Sequence, residues 1–126
     1  MGAEKSELAK GKRRWTLIPW KMMGWIVDAM CSGLTKYKAE SWKDVENGEN
    51  YYYDALLRHI TEYREALEDG NVKKEFDDQS GLHHLAHAGC NSIIVLWFAF
   101  QRINKSGKRK YFEEKTTLGD NEQEAV

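Results

Sequence analysis

The chain has one proline, two cysteines and no apolar run near the ~18 to 20 residues that a membrane span needs. No membrane partner is therefore expected. Cys31 and Cys90 fall inside apolar helical patterns and not at metal or redox spacing. That leaves out a cysteine metal site and a disulfide framework, and both thiols read as small buried hydrophobes of a reducing cytoplasm. The formal net charge is −1, so no basic field points to a nucleic-acid partner. The charged start has no apolar core, which excludes a secretory signal and leaves the cytoplasm as the expected location. No strand pattern survives either: Ser92 to Phe100 has strand composition but continues a helical period.

What the chain does have is enough apolar material for one small domain. Its 126 residues are 41% hydrophobic and 12% aromatic, with five Trp. Large rings bury much surface per residue, which suits a core of this size. Residues 1–14 read as a basic flexible arm, 15–103 as a helical domain, and 104–126 as a polar, largely disordered tail. Pro19, suited to a first turn, opens a helix that runs to about Gly33. Ile18, Met22, Trp25, Ile26 and Ala29 form one apolar stripe on it, and Met23, Val27, Met30 and Leu34 a second. Apolar on two sides, this helix is expected to be buried from two sides, which in a small domain points to an oligomer. A long connection to Asn50 carries Lys36, Tyr37, Lys38, Trp42 and an Asn47-Gly48 turn.

A second helix spans about Asn50 to Glu68 and stops at Gly70. Tyr52, Leu56, Ile60, Tyr63 and Leu67 make its stripe, with Ala55 and Ala66 leaving room for a neighbour, and Asp54 and Arg58 spaced as a surface ion pair. The third helix, about Gly81 to Ile103, is expected to be capped by Ser80. Its main apolar face is Leu82, Leu85, Ala86, Gly89, Ile93, Leu96 and Phe100. His84, His87, Asn91, Val95 and Phe98 lie opposite, polar first and then apolar, as in a lined pocket or a second interface. The fold class is all-α: a small helical bundle of three main helices plus terminal arms, completed by oligomerisation.

Three of the four histidines fall within Ser80-Gly81-Leu82-His83-His84-Leu85-Ala86-His87. His84, His87 and Asn91 share one helical face, while His83 points away, toward solvent. Polar groups on a deeply anchored helix need partners. His59 and Glu62 on the second helix, and Asp77 and Asp78 on the loop, are the candidates. Imidazoles with carboxylates suit Mn, Fe, Co, Ni or Zn, and H-x-x-E with H-x-x-H spacing sets each pair on one face, as a bundle metal site requires. Such a metal could polarise a phosphate and activate water. The same residues also fit a purely structural role, with histidines satisfying loop carbonyls and Asn91 bonding across a helix interface. Lys36, Tyr37 and Trp42 read either as a loop pinned by aromatics or as a phosphate-binding and stacking group.

Taken together, several motifs resemble one family. They are Leu17-Ile18-Pro19, Gly33-x-x-Lys36-Tyr37 followed by Trp42, Tyr53-Asp54-Ala55-Leu56-Leu57-Arg58-His59, and Asp77-x-x-Ser80-Gly81-Leu82-x-His84-Leu85-Ala86-His87 with Asn91. Over residues 17–98 the chain resembles the small, mostly phage-encoded N-terminal domain of dATP/dGTP diphosphohydrolases. That family has Asn and Glu where this chain has Ser41 and Gln79. The wider group is similar to the all-α nucleoside triphosphate pyrophosphohydrolases of the MazG type, which hold Mg or Mn on paired E-x-x-E and E-x-x-D motifs. Here His59-x-x-Glu62 and His84-x-x-His87 occupy comparable spacings, and histidine donors favour an ion softer than magnesium.

The resemblance implies a small-molecule nucleotide partner and a metal-dependent (deoxy)nucleoside triphosphate hydrolase or pyrophosphohydrolase acting on purine dNTPs. It implies a divalent metal cofactor (Mn, Co, Ni or Mg) on His84, His87 and Glu62. His59, Glu62 and Asp77 are the catalytic candidates. Lys36 and Arg58 are expected on phosphate, Tyr37 and Trp42 on the base, and Asn91 on substrate. Arg58, on an outer face, is expected to need a partner subunit to complete the site. The alternative is a non-enzymatic module that binds or sequesters a nucleotide, or a phage accessory or counter-defence protein that docks on a host protein through the first helix.

Overall fold

A computed structural model describes residues 11–33 and 38–107. Chain contacts divide into two units, residues 20–99 on the one hand and residues 1–19 with 100–126 on the other. In the latter, the described part comprises a 3-10 turn, Trp15–Leu17, and the end of the last helix. The expectations for residues 1–10, for Leu34 to Tyr37, and for the tail beyond 107 lie outside the described residues.

Three helices carry the unit 20–99: α1 (Trp20–Ser32), α2 (Gly48–Asp69) and α3 (His84–Lys105, which continues past the unit). Among the described residues there is no strand, only an isolated antiparallel bridge between Phe76 and His83. The all-α architecture and the order of its helices are as the apolar periodicity predicts. Helix boundaries differ by at most three residues.

The starts and stops follow local chemistry. Asn47 adopts the left-handed region (φ 53°) and turns the chain into α2, a conformation that Asn tolerates better than most residues. At the other end Gly70 is left-handed (φ 62°). Its N–H bonds Leu67 O at 3.1 Å, and Asn71 N–H bonds Ala66 O at 3.0 Å. This paired closure satisfies two carbonyls that the helix end would otherwise leave open. The Asn71 side chain then caps a 3-10 turn, Val72–Glu75.

The start of α3 corrects the expectation for Ser80. The helix begins at His84, and His83 is its cap: the His83 ring Nδ1 accepts the Leu85 N–H at 3.0 Å. The opposite ring nitrogen meets Glu75 Oε1 at 2.8 Å. His83 therefore does not point to solvent; it ties the loop to the helix. Ser80 lies inside the loop, where its Oγ accepts the Leu82 N–H at 3.2 Å.

The core is built on Ala29, Cys90 and Ile94, with Ile26, Met30, Trp42, Tyr52, Leu82 and Phe98 packed against them. Small residues let the helices close. A Cβ on Gly89 would lie 2.7 Å from Ile26 Cδ1, and Ala55 and Ala66 are buried on α2. α3 buries only part of its expected apolar face: Leu82, Ala86 and Gly89 pack inward. Leu85, Ile93 and Leu96 are exposed, while His84, Cys90 and Ile94 are buried. The histidine row turns inward because it has polar partners there. On α1 the chain buries one side only: Ala29 is covered, but Trp25 and Val27 are 45% and 47% exposed. Cys31 is exposed, contrary to expectation, at the end of α1 on the edge of a cavity it shares with Met30. Among the described residues Asp54 and Arg58 make no ion pair; both line a shallow exposed depression on α2.

Candidate functional site

His59 on α2 and His84 on α3 meet with their Nδ1 atoms 2.9 Å apart. Glu62, one turn beyond His59, brings Oε2 to 3.2 Å from His84 Nδ1 and 4.0 Å from His59 Nδ1. The three donor atoms lie within 4.8 Å of one another, and His84 is buried at 5% exposure. Two ligands held side by side on one ion at 2.0–2.2 Å sit about 3 Å apart, so this spacing suits a shared metal. The donor set, two imidazoles and a carboxylate, is that of a borderline transition ion.

His87, one turn after His84, has a different neighbourhood. Its ring stacks on His59 at 4.7 Å between centroids, 12° from parallel. Its Nε2 shares a 2.7 Å hydrogen bond with Ser80 Oγ, and Asp77 Oδ2 lies 3.9 Å away. The structure thus brings His59, Glu62 and His84 into the converging donor group and sets His87 beside it. Asp77 is held by the loop: its Oδ2 accepts the Ser80 N–H at 3.0 Å and its backbone carbonyl accepts the Gly81 N–H at 2.8 Å.

These environments set the charges. Burial lowers the His59 pKa below its ordinary value, and the neighbouring His87 and His84 lower it further against the pull of Glu62 and Asp77. Burial likewise lowers His87, opposed by Asp77. Burial works against a charge on Asp77, yet the Ser80 hydrogen bonds with His87 and His59 outweigh it and keep its carboxyl below the usual range. Neutral imidazoles and an ionised carboxylate are the forms that bind metals and accept protons.

Two cavities flank the cluster. The first, about 690 Å³, is lined by Arg58, His59, Glu62, Asp77, Gln79 and His84, with Lys74 and further carboxylates on its rim. Five carboxylates there face two cations, and Lys74 is already bound to Asp69 at 3.0 Å. Arg58 therefore reaches this pocket within its own chain. The second cavity, about 560 Å³, is mostly apolar and includes Trp42, Tyr52, His87, Asn91 and Ile94 in its wall. Burial pushes the Cys90 thiol up to about 11, so it lines this cavity as an inert apolar group. Lys36 and Tyr37 lie outside the described residues.

In the sequence Ser80 reads only as a helix cap and Tyr52 only as part of an apolar stripe, and Lys74 is not singled out; their places beside the site come from the structure. The Ser80 hydroxyl is seven residues from His87, and only the loop geometry reveals the contact. Lys74 carries a weak signal, as one of two adjacent lysines in a loop with three carboxylates.

The family model described as dATP/dGTP diphosphohydrolase, N-terminal, matches residues 2–112. The chain belongs to this family. A dATP/dGTP diphosphohydrolase of Salmonella phage PMBT28 is 28% identical over 100 residues, which are 79% of this chain and 31% of that protein. The chain thus spans about a third of the length of that diphosphohydrolase relative. No solved structure matches. The two positions at which the resemblance implies Asn and Glu are Ser41 and Gln79. Ser41 opens the 3-10 turn Ser41–Asp44, and Gln79 lies exposed on the acidic pocket's rim.

Proposed function

We propose that the chain binds a purine deoxynucleoside triphosphate and hydrolyses it, releasing pyrophosphate or phosphate, with a divalent metal held by His59, Glu62 and His84. The observation that carries this reading is the convergence of three donor atoms within 4.8 Å at one wall of an acidic pocket. A bound ion there supplies Lewis-acid polarisation of a phosphate and a more acidic water. The pocket's excess of carboxylates repels a bare polyphosphate, so substrate enters as a metal complex. Arg58 lies on the pocket wall, where its guanidinium suits phosphate oxygens. Asp77 and His87 are adjacent acceptors that take a proton from water. The name of the phage relative supports dATP and dGTP as substrates.

The test is turnover of the four dNTPs with Mn, Co, Ni, Zn and Mg, resolving phosphate from pyrophosphate by chromatography. Purine-selective, metal-dependent turnover is expected; no turnover of any nucleotide with any of these ions would end this reading. Gln79, an uncharged amide on the rim of the acidic pocket where the resemblance implies a carboxylate, favours a second reading, in which the chain holds a nucleotide without hydrolysing it. Saturable calorimetric binding with the nucleotide recovered intact would establish that one.

The chain also acts as a homo-oligomer on this reading. Trp20, Trp25, Leu57, Ile60, Leu85 and Leu96 are all exposed, and among the described residues no large side chain is fully buried. Exposed apolar surface on this scale marks an interface. Native mass spectrometry reads it directly, and a monomer at micromolar concentration would count against it.

A further inference from the structure

The 560 Å³ cavity has a form that the hydrolytic chemistry does not require. It falls in the usual size range of small-ligand pockets, with apolar walls and few polar groups. Trp42 forms one wall and is pinned there. It meets Trp97 edge-on at 5.1 Å and Phe98 at 6.1 Å, and Lys43 Nζ lies 5.6 Å from its ring centroid. A ring fixed in this way is a ready stacking surface. His87 belongs to the same wall and stacks on His59 of the donor cluster. The cavity and the cluster are therefore separated by a single imidazole.

The polar group that stands out in the cavity is Asn91. It is half-buried, and its carboxamide makes no hydrogen bond among the described residues. The Ser80–His87 and His59–His84 contacts leave it aside. An amide offers one acceptor and one donor edge side by side, and rotation by half a turn exchanges them. Adenine presents a donor (the 6-amino group) beside an acceptor (N1). Guanine presents the reverse, an acceptor (O6) beside a donor (N1–H). An amide pinned by a protein partner would suit one of these edges; an unpinned amide suits both.

We propose that this cavity seats the purine base against Trp42 and that Asn91 reads the base edge in either of two amide orientations, accepting adenine and guanine alike. The assignment rests on the nucleotide reading above and names the residue that sets its base specificity. Pyrimidines offer similar edges but only one ring to stack, so they bind more weakly.

The test uses nucleosides without phosphate, in the presence of a chelator, so that neither metal nor catalysis enters. Deoxyadenosine, deoxyguanosine, deoxycytidine and thymidine are titrated against the full chain by equilibrium dialysis. Comparable affinity for the two purines and weaker binding of both pyrimidines is expected. Asn91→Asp has acceptors only. It is expected to weaken deoxyadenosine by about 5- to 150-fold and deoxyguanosine less, because guanine's N1–H and 2-amino group both donate. Asn91→Ala weakens both purines. Equal binding of all four nucleosides by the unaltered chain, no saturable binding of any, or an unchanged purine ratio in Asn91→Asp would overturn the assignment. Absence of hydrolysis together with purine binding would sink only the hydrolase reading. Hydrolysis with an unchanged purine ratio in Asn91→Asp would sink only this one.

Discussion

His59 Nδ1 and His84 Nδ1 point at each other across the α2–α3 contact at 2.9 Å. Two ring nitrogens at that distance cannot both present lone pairs, nor both carry protons. They share one proton, or they share one cation. Glu62 Oε2, 3.2 Å from His84 Nδ1, completes the group in either case.

Metal content follows from this. Purified protein dialysed against Mn, Co, Ni or Zn is expected to retain about one ion per chain by elemental analysis. His84→Ala and His59→Ala should each lose it. At a free ion concentration a hundredfold above Kd, the ion adds about 2.7 kcal/mol of stability, visible as a rise in the urea midpoint that both variants lack. Equal retention by wild type and variants would remove the cluster from the account.

Acid should weaken the metal-free fold. The folded-state pKa values of His59 and His87 are lowered, so the unfolded chain takes up protons first. Stability is then complete above the unfolded value of about 6.5 and falls as pH drops below it. Asp77, also lowered, adds a further loss in the carboxylate range. Urea midpoints measured with chelator between pH 8 and pH 5 check the sign. His87→Gln, which cannot titrate, should flatten the slope near neutrality.

Gly48 tests packing against propensity. Alanine is ordinarily the better helix residue by about 1 kcal/mol. At Gly48, however, a Cβ would come within 2.7 Å of Phe98 Cε1 and Cε2. Gly48→Ala is therefore expected to cost about 1–3 kcal/mol in urea unfolding. Pairing it with Phe98→Leu should recover part of that loss. A stabilised Gly48→Ala would contradict the close approach.

His83 separates structural from chemical histidines. Its ring caps α3 and reaches Glu75. His83→Ala should cost about 0.5–2 kcal/mol, and His83→Asn, which keeps a capping oxygen, should cost less. Neither variant should alter metal content or turnover. A loss of metal in a folded His83→Asn chain would place His83 in the site.

Much of this was legible in the sequence. Asn47-Gly48 and Gly70 marked turns that the backbone then adopts, and the small residues Ala55 and Ala66 marked a helix contact. His59, Glu62, His84 and His87 are recognisable as candidates because i, i+3 spacing puts each pair on one helix face; that His59 rather than His87 joins Glu62 and His84 is visible only in the structure. The inward side of α3 is legible only in part: the polar row meets its expected partners on α2, and Leu82, Ala86 and Gly89 of the apolar face pack inward, but Leu85, Ile93 and Leu96 remain outside. Periodicity reports amphipathicity but not which side meets a partner, and His84 turned inward because His59 and Glu62 wait there. His83 takes the capping role expected of Ser80 because a loop bridge at Phe76 and His83 delays the helix by three residues, something no propensity scale contains.

The buried apolar centre consists largely of alanines, with Cys90 and Ile94, while several tryptophans, tyrosines and leucines stay in contact with water. Unfolding one isolated copy therefore uncovers little new hydrocarbon. Its calorimetric transition should be broad and its heat-capacity increment small for its length. If copies associate through those rings, the melting temperature will climb with protein concentration and the transition will sharpen, so a dilution series in the calorimeter reports how much of the fold is intermolecular.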